Sequence, residues 1–187
     1  MSRLIVFNQV SADGYFTDAN NDIRWAKERN RDPEFQAFVA DNAKSGGTLL
    51  FGRVTYEMMK SYWPTPEAKK NDPVVAEQMN ILPKVVFSKT LDEPSWNNTR
   101  LVKDGMASEV RKLKKESGPQ MVIMGSGTIV SQLTNENLID EYQFVVYPII
   151  LGKGRSMFEG VQDKLDLKLK KSRTFGNGIV LVTYETR

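Results

Sequence analysis

The most informative stretch of the sequence is Met121-Val122-Ile123-Met124-Gly125-Ser126-Gly127-Thr128-Ile129-Val130. Its four leading apolar residues predict a buried strand, Gly-Ser-Gly predicts a tight turn, and the residues after it predict a short apolar helix. Such a strand-to-helix turn presents bare backbone N–H groups and a helix N-terminus to an anion. The longer G-x-G-x-x-G dinucleotide fingerprint is absent, because Val130 stands at the third glycine position. The turn is therefore either an anion-binding turn or a tight structural connection.

Two further strand ends carry groups suited to phosphate. In Leu49-Leu50-Phe51-Gly52-Arg53-Val54-Thr55, a buried strand leads into a helix whose first turn carries a guanidinium and a hydroxyl. In Val85-Val86-Phe87-Ser88-Lys89, the strand ends in a hydroxyl and an ammonium group. Ligands bind at the carboxyl edge of open α/β sheets, so three such strand ends indicate a phosphate site. Taken alone, Arg53 is equally well interpreted as an exposed residue at a helix start.

Apolar runs alternate with helix-like segments along the first two-thirds of the chain, which predicts an α/β fold with a mostly parallel sheet. The stretch Phe175-Gly176-Asn177-Gly178-Ile179 predicts a tight hairpin, so the last strands should form an antiparallel edge. The segment from Pro64 to Asp72 is interpreted as a surface loop. We expect residues 1–187 to form a single domain. Strands are expected at 4–10, 48–51, 84–87, 121–124, 142–150, 165–173 and 179–184, and helices at about 33–39, 53–59, 74–82 and 110–113 and after Gly127.

The composition excludes several kinds of chemistry. The chain contains no Cys and no His, so it can form neither a disulfide, a Cys/His zinc site, a thiolate nucleophile nor a Ser-His triad. Acid–base chemistry must come from Asp, Glu, Lys, Tyr, water or a bound cofactor. No stretch approaches the roughly 20 apolar residues of a membrane helix, and no signal peptide is evident. We expect a cytoplasmic protein without a metal site or a membrane partner.

The formal net charge of +3 is a small imbalance. Positive charge is densest in residues 111–115 and 164–173, where apolar residues recur at helical spacing in the first run and alternate in the second. Neither run is interleaved with aromatic residues that could stack on bases. The basic residues are therefore interpreted as solvated faces, and no nucleic-acid partner is expected.

Five segments together resemble the dihydrofolate reductase-like superfamily, most closely the branch related to the C-terminal reductase domain of the bifunctional deaminase-reductase of riboflavin biosynthesis. The resemblance implies a three-layer α/β/α fold and an NADPH-dependent reductase of a small heterocyclic substrate, pterin-like or pyrimidine-like. It also implies a homodimer that pairs through its C-terminal strands. The segments cover nearly the whole chain in the family's order: Ser11-Ala12-Asp13-Gly14-Tyr15, Gly52-Arg53-Val54-Thr55-Tyr56-Glu57, Ser88-Lys89-Thr90, Gly125-Ser126-Gly127-Thr128 and Tyr147-Pro148-Ile149-Ile150-Leu151-Gly152-Lys153-Gly154.

The same resemblance assigns roles to individual residues. The residues that would bind the phosphate groups of the cofactor come from three of these segments. The positive charge of Arg53 and Lys89 suits NADPH better than NADH, because NADPH carries one more phosphate group. Val10, Asp13 and Gly14 would line the nicotinamide region, and Tyr147 would close the pocket. The pyrophosphate would be held by Gly125, Ser126, Gly127 and Thr128, other phosphate groups by Gly52, Arg53 and Thr55, and the adenosine 2′-phosphate by Ser88 and Lys89.

The candidates for a catalytic carboxylate have alternative interpretations. Asp13 is either the catalytic acid beside the nicotinamide or a turn residue, and Asp32 is either an acid near the substrate or a helix N-cap. Tyr15 stands where the riboflavin-pathway reductases carry Lys, and Met124 stands where they commonly carry an acidic residue. These departures weaken the expectation of a ribosylaminopyrimidine substrate. The alternative to an enzyme is a protein that binds NADPH or another nucleotide without turnover.

Overall fold

The strands of this computed structural model, which describes residues 1–27, 32–116 and 118–186, form two sheets. They are β1 (Leu4–Ser11), β2 (Tyr15–Asp18), β3 (Thr48–Gly52), β4 (Lys84–Phe87), β5 (Thr99–Val102), β6 (Met121–Ile123), β7 (Glu141–Tyr147), β8 (Gly154–Ser156), β9 (Leu167–Thr174) and β10 (Val180–Thr186). The central sheet has eight strands in the order β5-β4-β3-β6-β1-β7-β10-β9, and β2 pairs with β8 in a small separate sheet.

The central sheet is mostly parallel, as the alternation of apolar and helix-like segments predicts. The strands from β5 to β7 run parallel to one another, and β10 pairs antiparallel with both β7 and β9. A tight turn joins β9 to β10, where the amide of Phe175 donates to the carbonyl of Ile179 at 2.9 Å and Gly178 adopts a φ of +83°. Both the parallel sheet and the antiparallel C-terminal hairpin are confirmed.

Helices cover both faces of the sheet. One face carries α6 and α7, whose Val110 and Leu133 pack in one cluster with Leu4 of β1. The other face carries α2, α3 and α5, where Phe35 packs with Val145 of β7 and, in a neighbouring cluster, Tyr56 and Met79 pack with Leu49 and Phe51 of β3. This is the expected three-layer α/β/α arrangement. The helices are α1 (Arg24–Lys27), α2 (Pro33–Lys44), α3 (Arg53–Tyr62), α4 (Pro66–Asn71), α5 (Pro73–Ile81), α6 (Met106–Lys115) and α7 (Gly127–Asn135).

The prediction of a loop from Pro64 to Asp72 is wrong, because Pro66–Asn71 form α4. The Thr65 hydroxyl caps this helix by accepting a hydrogen bond from the Ala68 amide at 3.2 Å. Pro66 occupies the first turn, where its missing N–H costs nothing, and the acidic and basic residues of α4 suit the helix dipole. Thr65 followed by Pro66 is a helix-start signal in the sequence. The two prolines and the polar composition of the segment led to the loop prediction.

The carboxylate of Asp32 acts as an N-cap. Its Oδ1 accepts a hydrogen bond from the amide of Phe35 at 2.8 Å, at the start of α2. Glu34, the other carboxylate at the start of α2, pairs with Arg173 of β9 at 2.6 Å. Neither carboxylate therefore needs a catalytic role to explain its place in the structure. None of the helices in the described ranges has both the length and the apolar character needed to span a bilayer.

Candidate functional site

A cavity of about 460 Å³ opens at the carboxyl edge of the central sheet, where β3, β4, β5 and β6 end. Its wall combines strand ends, the first turns of three helices and one residue of the small sheet. The lining residues are Gly52, Arg53, Val54, Phe87, Ser88, Lys89, Val102, Lys103, Asp104, Gly105, Met106, Ser126, Thr128, Ile129, Gln132 and Arg155. The predicted convergence of three strand ends is therefore present, with β5 as a fourth.

Three helix N-termini point into this region. The N-cap residues of α3, α6 and α7 are Gly52, Gly105 and Ser126, and all three line the cavity. Within the described residues, no N-cap side chain satisfies the first-turn N–H groups of any of the three helices. Unsatisfied N–H groups and the positive ends of the helix dipoles stabilise an anion at this position.

The glycines of the β6–α7 turn and Gly52 at the end of β3 lie where an added Cβ would crowd neighbouring atoms. A Cβ at Gly127 would lie 3.0 Å from the carbonyl oxygen of Ser156, and one at Gly52 would lie 2.6 Å from Ser126 Oγ. Gly125 adopts a φ of +107°, and a Cβ there would lie 3.1 Å from Thr55 Oγ1. The Gly125–Ser126 peptide bond is cis. The glycines therefore permit close packing of the turn against α3 and β8 beside the cavity.

Basic side chains dominate the charge around the cavity. Arg53, Lys89, Lys103 and Arg155 line it, and Asp104 supplies the one carboxylate among the described lining residues. Arg53 pairs with Glu57 one turn along α3 at 3.1 Å, and Lys89 pairs with Asp104 at 3.5 Å. All four partners are well exposed, so these ion pairs are weak and leave the cations able to bind a ligand. An anion with several negative charges fits this environment.

Ser88 is held in place by its own turn. Its Oγ accepts hydrogen bonds from the amides of Thr90 and Leu91 at 3.2 and 3.0 Å, and its backbone amide donates to the carbonyl of Val102. A hydroxyl that accepts from backbone amides keeps its own hydrogen for donation. Ser88 can therefore donate to a phosphate oxygen in the cavity beside Lys89.

The structure brings together only part of the predicted set. Gly52, Arg53, Ser88, Lys89, Ser126 and Thr128 line the cavity. Thr55, Gly125 and Gly127 lie behind it, since Thr55 is buried with its hydroxyl against the Gly125 turn. Val10, Asp13, Gly14 and Tyr147 lie outside the cavity wall, at the ends of β1 and β7 or in the turn after β1.

Asp13 links two loops. Its carboxylate accepts hydrogen bonds from Ser11 Oγ at 2.6 Å and from the amides of Leu151 and Gly152 at 3.1 and 2.7 Å. The Ser11 hydrogen bond, aided by the two amides, holds the pKa of the Asp13 carboxyl below its usual value. Asp13 is therefore ionised at neutral pH, which suits a structural acceptor better than a proton donor. Its predicted catalytic role stays a prediction.

Tyr147 lies in the core rather than at a surface. It is 0% exposed and packs edge-on against Trp25 at 5.4 Å and Phe35 at 6.2 Å between ring centroids. Trp25 Nε1 is buried without a hydrogen-bond partner among the described residues. Tyr62 lies at the end of α3, and the ammonium group of Lys27 lies over its ring, 3.9 Å from the ring centroid. Trp25, Tyr62 and Tyr147 thus lie near α1.

Four charged or polar lining residues were not identified from the sequence: Lys103, Asp104, Gln132 and Arg155. Lys103 follows β5, a short strand whose side chains are half-exposed and whose apolar pattern is therefore weak. The signal was nevertheless present, because Lys103-Asp104-Gly105 places a cation and a glycine at a strand-to-helix turn, as Gly52-Arg53 does. Arg155 lies in β8, a three-residue strand with no periodicity to detect, where its guanidinium stacks over Phe16 at 5.8 Å.

Comparison with known proteins places these features in a family. The chain is 28% identical over 182 residues to the uncharacterized protein YyaP of Bacillus subtilis, covering 97% of this chain and 94% of that protein. It is 26% identical over 179 residues to YwjB of the same organism, covering 96% and 95%.

Solved structures agree with this relationship. A Shewanella sp. PV-4 protein, provisionally described as a riboflavin biosynthesis protein, superposes with a TM-score of 0.74 at 25% identity, over 99% of each chain. A deaminase/5-amino-6-(5-phosphoribosylamino)uracil reductase of Thermotoga maritima shares the fold, with a TM-score of 0.71 at 14% identity over all of this chain and 57% of that one. The family model of the RibD C-terminal domain matches residues 2–181. The chain therefore belongs to the RibD C-terminal domain family.

Proposed function

We propose that this protein is an NADPH-dependent reductase that acts on a small heterocyclic substrate, pyrimidine-like or pterin-like. The observation that carries the proposal is the basic cavity at three helix N-termini, which offers four cations and unsatisfied amides at one sheet edge. A dinucleotide with a pyrophosphate and a 2′-phosphate is the kind of polyanion that such a cavity would bind. Membership of the RibD C-terminal domain family supports a reductase of this class.

The cavity residues would divide the phosphate groups between them. The amides of the Ser126–Thr128 turn and the guanidinium of Arg53 would hold the pyrophosphate, and Ser88 and Lys89 would hold the 2′-phosphate. Lys103, on the loop after β5, adds charge that favours the more highly charged cofactor. NADPH, when bound, supplies a hydride from its nicotinamide ring.

The remaining residues position the reacting groups. Asp13 fixes the loop that contains Leu151 and Gly152 against the turn after β1, and Tyr147 packs beneath that region. Because Asp13 is ionised at neutral pH, we assign the proton that reduction of a heterocycle requires to water rather than to Asp13. The second candidate function is a nucleotide-binding protein without turnover. It is favoured by the hydrogen bonds from Ser11 and Gly152 that occupy both carboxylate oxygens of Asp13.

Paired titrations with NADPH and NADH, read out by calorimetry, test the proposal. We expect saturable binding with a clear preference for NADPH and a loss of affinity of at least tenfold in Arg53→Ala. Arg111→Ala is the matched control, since Arg111 is a similarly exposed arginine paired with Glu136 away from the cavity. Equal affinity for both cofactors, or unchanged affinity in Arg53→Ala, would contradict the proposed phosphate site.

Turnover separates the two candidates. A panel of pterins, pyrimidines and flavin precursors is screened by loss of nicotinamide absorbance. Oxidation of NADPH by one member of the panel would support the reductase. Cofactor binding with no oxidation across the panel would support the nucleotide-binding protein instead.

We also propose that the protein is a cytoplasmic homodimer that pairs through its C-terminal strands. The observation in its favour is that β9 occupies one edge of the central sheet and leaves Leu169 exposed. An open strand edge with an exposed apolar residue is a template for pairing with another chain. Sedimentation showing only a species near 21.2 kDa would contradict this proposal.

A further inference from the structure

The connection between β4 and β5 contains no helix. The two strands pair parallel, with Phe87 opposite Val102, and a parallel pair requires a crossover that usually includes an α-helix. Residues 88–98, all of which the structure describes, form neither helix nor strand. The connection begins with Ser88 and Lys89, which line the cavity. Whatever holds this segment in place therefore also places two of the groups proposed to bind phosphate.

Tyr56 holds the far end of the connection. Its phenolic oxygen accepts hydrogen bonds from the amides of Ser95 at 3.1 Å and Trp96 at 2.9 Å. Among the described residues, neither amide has another acceptor. Tyr56 and Trp96 are both buried, at 1% and 5% exposed, so water cannot readily replace the hydroxyl at the Trp96 amide. A segment without its own ladder of backbone hydrogen bonds thus depends on one side-chain oxygen.

Leu91 extends this order to the cavity end of the connection. Its side chain packs against the cluster that contains Tyr56 and Trp96, whose ring centroids lie 6.1 Å apart. Its amide donates to Ser88 Oγ at 3.0 Å. The part of the segment that Tyr56 holds is therefore linked to Ser88 by packing and by a hydrogen bond.

Tyr56 also belongs to the helix that begins at the cavity. It lies on α3, one turn after Arg53, and the N-terminus of α3 lines the cavity with Gly52 and Arg53. The same helix thus carries one phosphate-binding cation at its start and holds, through Tyr56, the segment that carries the other cation, Lys89. The placement of Lys89 relative to Arg53 depends on this link.

We propose that Tyr56 is a positioning residue that places Ser88 and Lys89 relative to Arg53, and thereby sets how strongly the site prefers a cofactor with a 2′-phosphate. This inference rests on the proposed use of NADPH. Tyr56 is not among the residues that line the cavity, so it acts through residues 88–98.

The test is Tyr56→Phe, which removes only the hydroxyl group. Calorimetry is expected to show NADPH binding weakened about threefold to tenfold and NADH binding changed by less than about twofold, because NADH lacks the phosphate that Ser88 and Lys89 would hold. Tyr142→Phe is the matched control. Tyr142 is also 1% exposed, and its hydroxyl bonds to that of Thr134 at 2.9 Å on the other face of the sheet, so both affinities should stay unchanged.

Hydrogen exchange of the free protein separates positioning from a local role. In Tyr56→Phe the amides of Ser95 and Trp96 should exchange faster, and so should those of Thr90 and Leu91, which donate to Ser88 Oγ at the cavity end. Faster exchange confined to Ser95 and Trp96 overturns the inference.

A second variant keeps the test independent of the Tyr56 substitution. Trp96→Phe removes the hydrogen bond from Trp96 Nε1 to Asn80 Oδ1 at 2.8 Å, which holds the same segment against α5. It should lower the NADPH to NADH affinity ratio in the same direction as Tyr56→Phe.

Each remaining outcome counts against a different statement. An unchanged affinity ratio in Tyr56→Phe overturns the inference and leaves the cofactor proposal intact. Equal weakening of NADPH and NADH also overturns it, because Tyr56 would then support the whole site and not the placement of Ser88 and Lys89. If the wild type binds neither cofactor, the cofactor proposal itself fails, and the inference falls with it.

Discussion

Asp13 Oδ2 accepts a hydrogen bond from the Gly152 amide at 2.7 Å, across 139 residues of sequence. The other oxygen accepts from Ser11 Oγ at 2.6 Å, and Ser11 Oγ in turn accepts from the Tyr15 amide at 2.9 Å. The turn after β1 and the loop after β7 are thus held by one carboxylate. Asp13 therefore connects two loops near the ends of β1 and β7, and its catalytic role stays a prediction.

Asp13→Asn should loosen the loop that follows β7. The carboxamide introduced by this substitution would offer one oxygen and one unwanted donor to a site built for an anion, so exchange of the Gly152 amide hydrogen should quicken. The lowered pKa means that the Asp13 contribution is present above the usual carboxyl pKa and is lost as pH falls through the lowered value. The wild type should therefore lose the same protection at strongly acidic pH.

Hydrogen exchange at Gly152 measures this effect. Asp166→Asn is the control, because Asp166 is exposed and only weakly paired with Lys164 at 3.9 Å. Unchanged protection at Gly152 in Asp13→Asn would show that the loop is held by other contacts.

Lys89→Ala should reduce the preference for NADPH over NADH. A charge-assisted hydrogen bond to the 2′-phosphate accounts for about tenfold in affinity, and NADH lacks that phosphate. Asp104→Asn should act in the opposite direction, because Asp104 pairs with Lys89 at 3.5 Å and repels an anion in the cavity. Calorimetry with both cofactors measures the ratio, and Lys112→Ala on α6 controls for net charge. An unchanged NADPH to NADH ratio in Lys89→Ala would assign the 2′-phosphate to another cation.

Gly127→Ala should destabilise the protein by about 1–3 kcal/mol, because the added methyl group overpacks a closed contact. Its Cβ would lie 3.0 Å from the Ser156 carbonyl oxygen and 3.1 Å from both Met157 Cα and Phe16 Cε1. Gly118→Ala is the matched control, since the nearest atom to a Cβ there, Ser2 Oγ, lies at 3.7 Å. Urea denaturation gives both free energies of unfolding. Equal stability of the two variants would mean that α7 and β8 separate at little cost.

Lys84→Met should lower the free energy of unfolding at pH 7 by about 1–3 kcal/mol, because buried carbonyls lose their donor. The Lys84 side chain is 1% exposed, and its ammonium donates to the carbonyls of Asn80, Leu82 and Asn97 at 3.3, 2.7 and 3.1 Å. Burial lowers the pKa of Lys84 to about 8. Between about pH 8 and pH 10 the unfolded chain binds more protons, so the wild type should gain stability relative to the variant.

Denaturation at several pH values between 7 and 10 tests this dependence. Lys69→Met, a change in an exposed lysine of α4, should show no such trend. A constant difference between wild type and Lys84→Met across this range would show that Lys84 keeps its ordinary pKa in the folded protein.

The sequence predicts the fold where strong periodicity and turn chemistry agree. Each of the runs that become β1, β3, β4 and β6 contains an unbroken apolar stretch, and Asp32 with Pro33 marks the start of α2. The strands that escaped prediction, β2, β5 and β8, are short: β5 alternates poorly because its side chains are half-exposed, and β8 has only three residues. Tertiary pairing, rather than local propensity, defines such strands.

The residues of the candidate site likewise include some that the sequence predicts and some that it does not. Glycine turns and their neighbouring cations were visible as sequence motifs, so Gly52, Arg53, Ser126 and Thr128 were identified. Arg155 was not, because its place in the cavity depends on how β8 packs against α7.

The walls of the cavity come from residues as far apart in sequence as Gly52 and Arg155. Contacts between such distant residues form slowly and depend on closure of long chain segments. No partly folded chain that lacks the pairing of β3, β4, β5 and β6 can present this binding surface. Any ligand of the cavity therefore binds the native state alone and raises apparent stability with its concentration. The cellular lifetime of the protein should then follow the supply of that ligand, because proteases degrade the unfolded population.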